Sequence, residues 1–207
     1  QHMTSKTVSF YALGCRANQL EASALADTFK QGGWSVLPFD ENQPASLYVI
    51  NTCTVTHGGD SDSRRMIRRA IGFNPDAQVA VTGCYAQVSP NEIAAIEGVD
   101  YVIGNNYKQD IFNIISESNN SDKKQTPFIQ VSEMDKSRIM EGATAASIDR
   151  SRASLKIQDG CNYRCSFCIV PQVRGRSSSL SPDLAVNQLT ELVYAGIPEI
   201  VLTGVHL

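Results

Sequence analysis

No run of the chain approaches the ~20 consecutive apolar residues that a membrane-spanning helix needs, and the N-terminus lacks the charged-then-apolar order of a secretory signal. These absences predict a protein without a membrane anchor, with the cytoplasm as its default compartment. Net charge is also scarce. Eighteen Lys and Arg against 21 Asp and Glu leave −3 at pH 7, so no bulk cationic field draws the chain to a polyanion. Any contact with nucleic acid must come from a local basic patch. Cysteine density is far below that of a small secreted scaffold: six in 207 residues. In a reducing compartment such thiols point to metal or redox use rather than to disulfides. What remains is an ordinary globular composition, 42% hydrophobic and 19% charged, sufficient for one large unit or two small ones. Gln1-His2-Met3 reads as a tag-cleavage scar and is set aside.

The hydrophobic pattern alternates between periods of two and 3.6. TVSFYAL (7–13) is a β-rich run ending at Gly14-Cys15. NQLEASALADTFKQGG (18–33) is helical, with Leu20, Ala24 and Phe29 on one stripe and Gly32-Gly33 as its stop. Strands follow at 34–39 and 46–52, a helix at 63–73, a strand at 77–83, a helix at 89–98, a strand at 101–104 and a helix at 107–118. This order predicts an α/β fold over residues 4–118, a flavodoxin-like doubly wound parallel sheet. Residues 119–150 are polar and turn-rich and read as a linker, although PFIQVS (127–132) suits a short strand. A second β/α series then starts: ASLKIQDG (153–160), a cysteine loop, a helix at 182–196 and EIVLTG (199–204). Two strands and one helix cannot close a barrel, so residues 151–207 read as the start of a truncated (β/α) barrel.

CNYRCSFC (161–168) turns three thiols, Cys161, Cys165 and Cys168, toward one centre. A structural zinc normally takes four ligands. Three thiolates suit a [4Fe–4S] cluster with one iron left open, and the open iron can hold the amino and carboxylate groups of S-adenosylmethionine (SAM). The competing reading is a zinc knuckle with His206 or an acidic side chain as fourth ligand. The other three cysteines each end a predicted strand: Cys15 in YALGC, Cys53 in YVINTC and Cys84 in AVTGC. With strand order 2-1-3-4-5 these strands are neighbours and their carboxyl ends share one crevice, which makes a second three-cysteine cluster site. The plainer alternative is three buried structural cysteines. Gly14 and Gly83, just before Cys15 and Cys84, allow close approach to a bulky inorganic core.

The cysteine loop resembles that of the radical SAM superfamily, in which the position of Phe167 lies beside the SAM adenine. The ordered set LGCRANQLEA, NTCTVTHGGDSDSRRMIRRA, TGCYAQ, LKIQDGCNYRCSFCIVPQVRGRS and EIVLTGVHL resembles the methylthiotransferase family over nearly the whole chain. That resemblance implies two [4Fe–4S] clusters: an auxiliary one on Cys15, Cys53 and Cys84, and a radical SAM one on Cys161, Cys165 and Cys168. It also implies SAM, an electron donor such as flavodoxin or ferredoxin, and methylthiolation at an unactivated C–H. Thr-Val-Thr after Cys53, the Arg pairs and the terminal TGVHL look like the branch acting on N6-threonylcarbamoyladenosine beside the tRNA anticodon. Alternatives are a ribosomal-protein aspartate as substrate, a non-catalytic iron–sulfur carrier or sensor, and a zinc-stabilised nucleic-acid module. Half a barrel is expected to be inactive by itself.

Arg64, Arg65, Arg68 and Arg69 share one helix face, suited either to RNA phosphates or to pairing with Asp60 and Asp62. Asn18 and Asn51 flank cysteines, in hydrogen bonds around a cluster or in turn and capping roles. His57 and His206 are lone histidines, and Tyr11 and Tyr85 read as packing. GRSSS, after the cysteine loop, is a place where SAM could meet backbone.

Overall fold

The computed structural model describes residues 6–55, 58–118, 123–134, 140, 143–145 and 151–207. The first part runs β1 (Thr7–Ala12), α1 (Arg16–Gln31), β2 (Ser35–Leu37), β3 (Leu47–Thr52), α2 (Gly59–Phe73), β4 (Gln78–Gly83), α3 (Cys84–Val88), α4 (Pro90–Ala94), β5 (Tyr101–Ile103), a 3-10 segment Asn105–Asp110, α5 (Ile111–Glu117) and β6 (Phe128–Gln130). All its strands pair in parallel, in the order β2-β1-β3-β4-β5-β6. The doubly wound sheet expected from the alternating pattern is therefore present, with one strand more at its far edge.

Why these residues make a two-faced sheet is visible in β3. All six of its residues are buried, as the central strand of a sheet covered on both sides must be. Alternate side chains enter opposite cores. Tyr48 and Ile50 pack with Ile67 of α2, Tyr85 of α3 and Ile93 of α4. Leu47 and Val49 pack with Leu25 and Phe29 of α1 and Ile111 and Ile115 of α5. Phe29 is fully buried and meets Phe10, Trp34 and Phe112 edge-on, with centroids 5.1–5.5 Å apart. Burying such a side chain contributes about 1.5–3 kcal/mol.

Element ends differ from expectation for local reasons. The α2 helix begins at Gly59, one turn before residue 63, because Gly58 turns the chain at φ 76° and Asp60 and Asp62 complement the helix N-terminus. Residues 105–110 wind as a 3-10 segment rather than as the first turn of α5. The polar stretch from 119 contains β6, which pairs with β5 as Tyr101↔Phe128 and Ile103↔Gln130. Lys123 secures it by donating to the carbonyls of Ala77 and Gly98, both at 2.8 Å. The parallel sheet thus takes in residues that composition places in the linker.

The second part comprises β7 (Ala143–Ala145), β8 (Arg152–Lys156), β9 (Gln158–Asp159), α6 (Val170–Arg174), β10 (Ser178–Ser179), α7 (Pro182–Tyr194) and β11 (Glu199–Thr203). Strand β8 lies between parallel β11 and antiparallel β7. The expected single strand 153–160 breaks at Ile157, and β9 leaves to pair with β10. Pro182 at the first helical position, Asp183 in the first turn and the Ser181 hydroxyl accepting from the Leu184 amide at 3.3 Å start α7. Its core is small, with Ala153, Leu155 and Leu192 buried and Leu189, Ile197 and Ile200 packed on them. Strand β11 is an edge, and Leu202, Val186, Val193 and Tyr194 are exposed.

Candidate metal centre

The register of the sheet brings three cysteines to one end. Ala12 pairs with Asn51 and Thr52 with Gly83, so β1, β3 and β4 finish side by side. Cys15 directly precedes α1 and is exposed, Cys53 follows β3 and Cys84 opens α3, both buried. Gly14, at φ 81°, is held so close to Cys53 that a Cβ there would run into its sulfur. Gly83, at φ 98°, comes equally close to the Thr52 carbonyl. These glycines thus let the cysteine-bearing loops approach one another, and at Gly83 the close neighbour is backbone of β3.

Asn18 and Asn51 hold the loops. The Asn18 amide donates to the carbonyls of Leu13 and Thr52, both at 2.9 Å, and Asn51 donates to the Asn18 carbonyl at 2.8 Å. Asn18 thus acts on backbone just ahead of Cys15 and Cys53, and Asn51 holds the first turn of α1 that carries Asn18. The Ser63 hydroxyl, on α2, accepts from the Cys53 amide at 3.3 Å and donates to its carbonyl at 3.1 Å. Ser63 was not singled out from the sequence. The only signal was a serine on the apolar stripe of an Arg-rich helix.

Cys161 and Cys168 are half-buried and Cys165 is exposed. The Cys168 amide donates to the Cys165 carbonyl at 3.0 Å, closing a turn, and the Cys161 amide donates to the Gly175 carbonyl at 3.1 Å. A Cβ at Gly160 would strike the Arg176 carbonyl, so the GRSSS segment lies directly against the root of the loop. The buried Gln158 amide fastens that root. Its nitrogen donates to the Asp159 and Gly160 carbonyls and to the Ser177 hydroxyl, and its oxygen accepts from the amides of Val205 and His206 at 2.7 and 2.8 Å. Phe167 is 91% exposed. The His206 ring lies 4.9 Å from that of Tyr163, and His57 lies outside the described residues.

The two halves meet through buried charge. Glu21 of α1 accepts from Lys108 at 2.6 Å, Lys156 of β8 at 2.9 Å and Arg174 of α6 at 2.9 Å. Arg174 and Lys156 also bind Asp159, at 3.0 and 2.9 Å. Arg174 further donates to Asn18 Oδ1 at 2.6 Å, and Asn105 donates to the Val173 carbonyl at 2.6 Å. Burial alone would raise the Glu21 and Asp159 carboxyls, but the surrounding cations overcome it. Glu21 is held well below the usual carboxylate range and Asp159 below it. Burial lowers Lys108, with Glu21 opposing. Burial raises the Cys84 thiol, and Arg174 and Lys108 counter it.

None of the six cysteines forms a disulfide. Among the described residues, no three His, Cys, Asp or Glu side chains are gathered closely enough to grip one metal ion. A tetrahedral zinc needs every sulfur about 2.3 Å from a single ion. In a four-iron cluster each thiolate attaches to its own iron, so a wider trio fits. The glycine-walled approach of Gly14 to Cys53 and the cation-rich junction suit an anionic cluster on the first trio.

Residues 7–104 match the family described as Uncharacterized protein family UPF0004, and residues 155–206 match the Radical SAM superfamily. The Bacillus subtilis protein named Threonylcarbamoyladenosine tRNA methylthiotransferase MtaB is 47% identical over 201 residues, 97% of this chain and 44% of that protein. The Aquifex aeolicus protein of the same name is 40% identical over 200 residues, 97% of this chain and 48% of that protein. The chain is thus similar to these methylthiotransferases over 97% of its own length. It spans less than half the length of these relatives. In fold it is similar to the radical S-adenosylmethionine methyltransferase TsrM from Kitasatospora setae, with TM-score 0.58 at 16% identity, covering 97% of this chain and 48% of that one.

The arginine face of α2 is divided. Arg64 donates to the Tyr85 hydroxyl at 2.7 Å, which in turn donates to Glu92 at 2.7 Å. Tyr85 is thus a polar bridge as well as packing, whereas Tyr11 packs on Phe39 at 4.7 Å. Arg65 pairs with Asp62 at 3.0 Å, and Arg69 lies over the Phe73 ring at 5.2 Å. Arg64 and Arg68 line a cleft of about 450 Å³ with Glu92 and Glu97, so its charge is mixed. Arg65, Arg68 and Arg69 are exposed. Among the described residues no helix is long and apolar enough to cross a membrane.

Proposed function

We propose that the protein installs a methylthio group at adenine C2 of N6-threonylcarbamoyladenosine, beside the anticodon of tRNA, in the cytoplasm. Cys15, Cys53 and Cys84 hold an auxiliary [4Fe–4S] cluster, and Cys161, Cys165 and Cys168 hold the cluster that binds SAM. In domain terms, residues 4–118 form the unit of the auxiliary cluster, 119–150 the connection and 151–207 the first part of a radical SAM barrel. The open β11 edge and the uncovered apolar residues of α7 support a barrel that continues. The carrying observation is that the three strand-end cysteines finish on neighbouring strands, at the end of the sheet where Arg174, six residues after Cys168, bonds Asn18. The relatives' names support the tRNA substrate.

When bound, the clusters and SAM supply radical generation at one centre and sulfur at the other. The chain's residues orient them. Gln158 fixes the root of the second cysteine loop, Asn18 and Ser63 fix the first trio, and Phe167 offers an uncovered ring for the adenine of SAM. Arg65, Arg68 and Arg69 are free of burial to meet phosphates of an anticodon stem-loop. An electron donor such as flavodoxin or ferredoxin reaches the exposed edge at Cys165. The test is full-length protein purified anaerobically and offered both a tRNA anticodon arm and the ribosomal protein. Methylthiolated tRNA is expected. Modification of the ribosomal protein alone would refute the substrate, and zinc in place of iron would refute the chemistry. Cys15→Ala, Cys53→Ala, Cys84→Ala together are expected to remove half the iron.

A further inference from the structure

We propose that Arg174 is a positioning residue that sets, through Asn18, the geometry and reduction potential of the Cys15–Cys53–Cys84 site from within the other cysteine unit. This deepens the proposed function and rests on its assignment of a cluster to that trio.

Three observations meet at this one side chain. The first is its reach. Arg174 ends α6, and the carbonyl of the next residue, Gly175, accepts the Cys161 amide at 3.1 Å. Its guanidinium, 7% exposed as a residue, donates at 2.6 Å to Asn18 Oδ1. Asn18 in turn holds the carbonyls of Leu13 and Thr52, just ahead of Cys15 and Cys53. One covalent step and three successive hydrogen bonds therefore connect the root of one cysteine loop to each of two loops of the other trio.

The second is that Arg174 cannot swing away. Glu21 and Asp159 take its Nη1 while Asn18 takes its Nη2. A planar fork fixed at both nitrogens orients its partner amide, so that the Asn18 nitrogen, not its oxygen, faces the loop carbonyls. The third is charge. The buried set has three cations, Lys108, Lys156 and Arg174, against two carboxylates, Glu21 and Asp159. The surplus positive charge belongs to the set that touches the first trio through Asn18. A nearby cation favours the added electron on an anionic cluster and raises its potential, as do fixed hydrogen bonds around it.

The test uses the full-length chain carrying Cys161→Ala, Cys165→Ala and Cys168→Ala, reconstituted anaerobically with iron and sulfide, so that only the first trio can load. Arg174→Gln and Arg174→Lys are compared in that background by iron and sulfide content, redox titration and the EPR spectrum of the reduced cluster. Arg174→Gln is expected to load iron and to show a more negative midpoint and an altered spectrum. Arg174→Lys keeps the charge but not the fork, so it is expected to restore the midpoint while the spectrum stays altered. Should Arg174→Gln fail to fold, the spectrum of Arg174→Lys decides. Parent midpoint and spectrum in every variant that loads iron would overturn the proposal. Absence of iron from the parent background would instead overturn the assignment of a cluster to Cys15, Cys53 and Cys84.

Discussion

Glu21→Gln tests whether the buried charges really join the two halves. The carboxylate receives Lys108, Lys156 and Arg174 within 2.9 Å and its side chain is 10% exposed. Gln keeps the shape and one acceptor but removes the charge, leaving three cations with Asp159 alone. Unit charges about 4 Å apart at an effective dielectric near 20 interact by about 4 kcal/mol, so three such contacts would suggest far more than a protein can lose. A lysine limits the cost by shedding its proton, which from about pKa 10.4 to pH 7 takes about 5 kcal/mol. Breaking a buried pair by removing one partner typically costs about 3–5 kcal/mol, and this range is expected here. For a chain of this size that lowers Tm by roughly 10 °C.

The assay is thermal unfolding followed by circular dichroism across pH, with Arg65→Gln as the control. Arg65 meets Asp62 on the surface, with side chains 71% and 48% exposed, and its loss should cost under about 0.5 kcal/mol. The pH dependence has a definite sign. Glu21 is held well below its ordinary value in the fold. Its stabilisation is therefore complete above the unfolded value of about 4.3 and is lost as pH falls through the folded one. The gap between parent and Glu21→Gln should close in acid. It should also narrow as pH rises toward 10, because Lys108, already lowered by burial, loses its proton in the folded variant before the unfolded lysine does. A Glu21→Gln protein melting within about 2 °C of the parent at pH 7, or a gap that widens in acid, would refute the reasoning.

Asn18→Ala removes both donors that hold Leu13 and Thr52 and leaves Arg174 short of a partner; a loss of about 2–4 kcal/mol is expected, with faster amide exchange at residues 13–15 and 52–54. Gly83→Ala should cost more than about 2 kcal/mol in a thermal melt, since its Cβ meets the Thr52 carbonyl, while Gly33→Ala, at φ 84° with open space around it, should cost about 1 kcal/mol; equal costs would contradict the close approach. Phe167→Ala, at a 91% exposed side chain, should change stability by under about 0.5 kcal/mol yet weaken SAM binding to full-length protein, as read by equilibrium dialysis.

Much of the architecture was legible because it is written locally. The apolar runs LYVINT and QVAVTG, each buried at all six positions, admit little but central parallel strands. Strand β6 was legible as a short strand in PFIQVS but not as a member of the parallel sheet, because FIQ is only three residues long and sits at the sheet edge, where two of its side chains remain exposed. The start of α2 was misjudged by a turn because Gly58 and the acids after it are a stop signal in one reading and a start signal in the other. At the site, the six thiols were conspicuous by type and spacing. Ser63, Gln158 and the charged junction were not, since a serine, a glutamine and scattered Lys, Arg and Glu have the same composition on a solvated surface.

The sequence by itself determined the alternation of strands and helices, the placing of three cysteines at strand ends and three in one loop, and thereby the class of cofactor those thiols suit. These depend on periodicity and residue type, which act over a few neighbours. Only the tertiary structure decided that Glu21, Lys108, Lys156, Asp159 and Arg174, spread over more than 150 positions, close into one buried set. Ions take up such places only when folding has removed the water around them and supplied each with an opposite charge, and no local pattern carries that information.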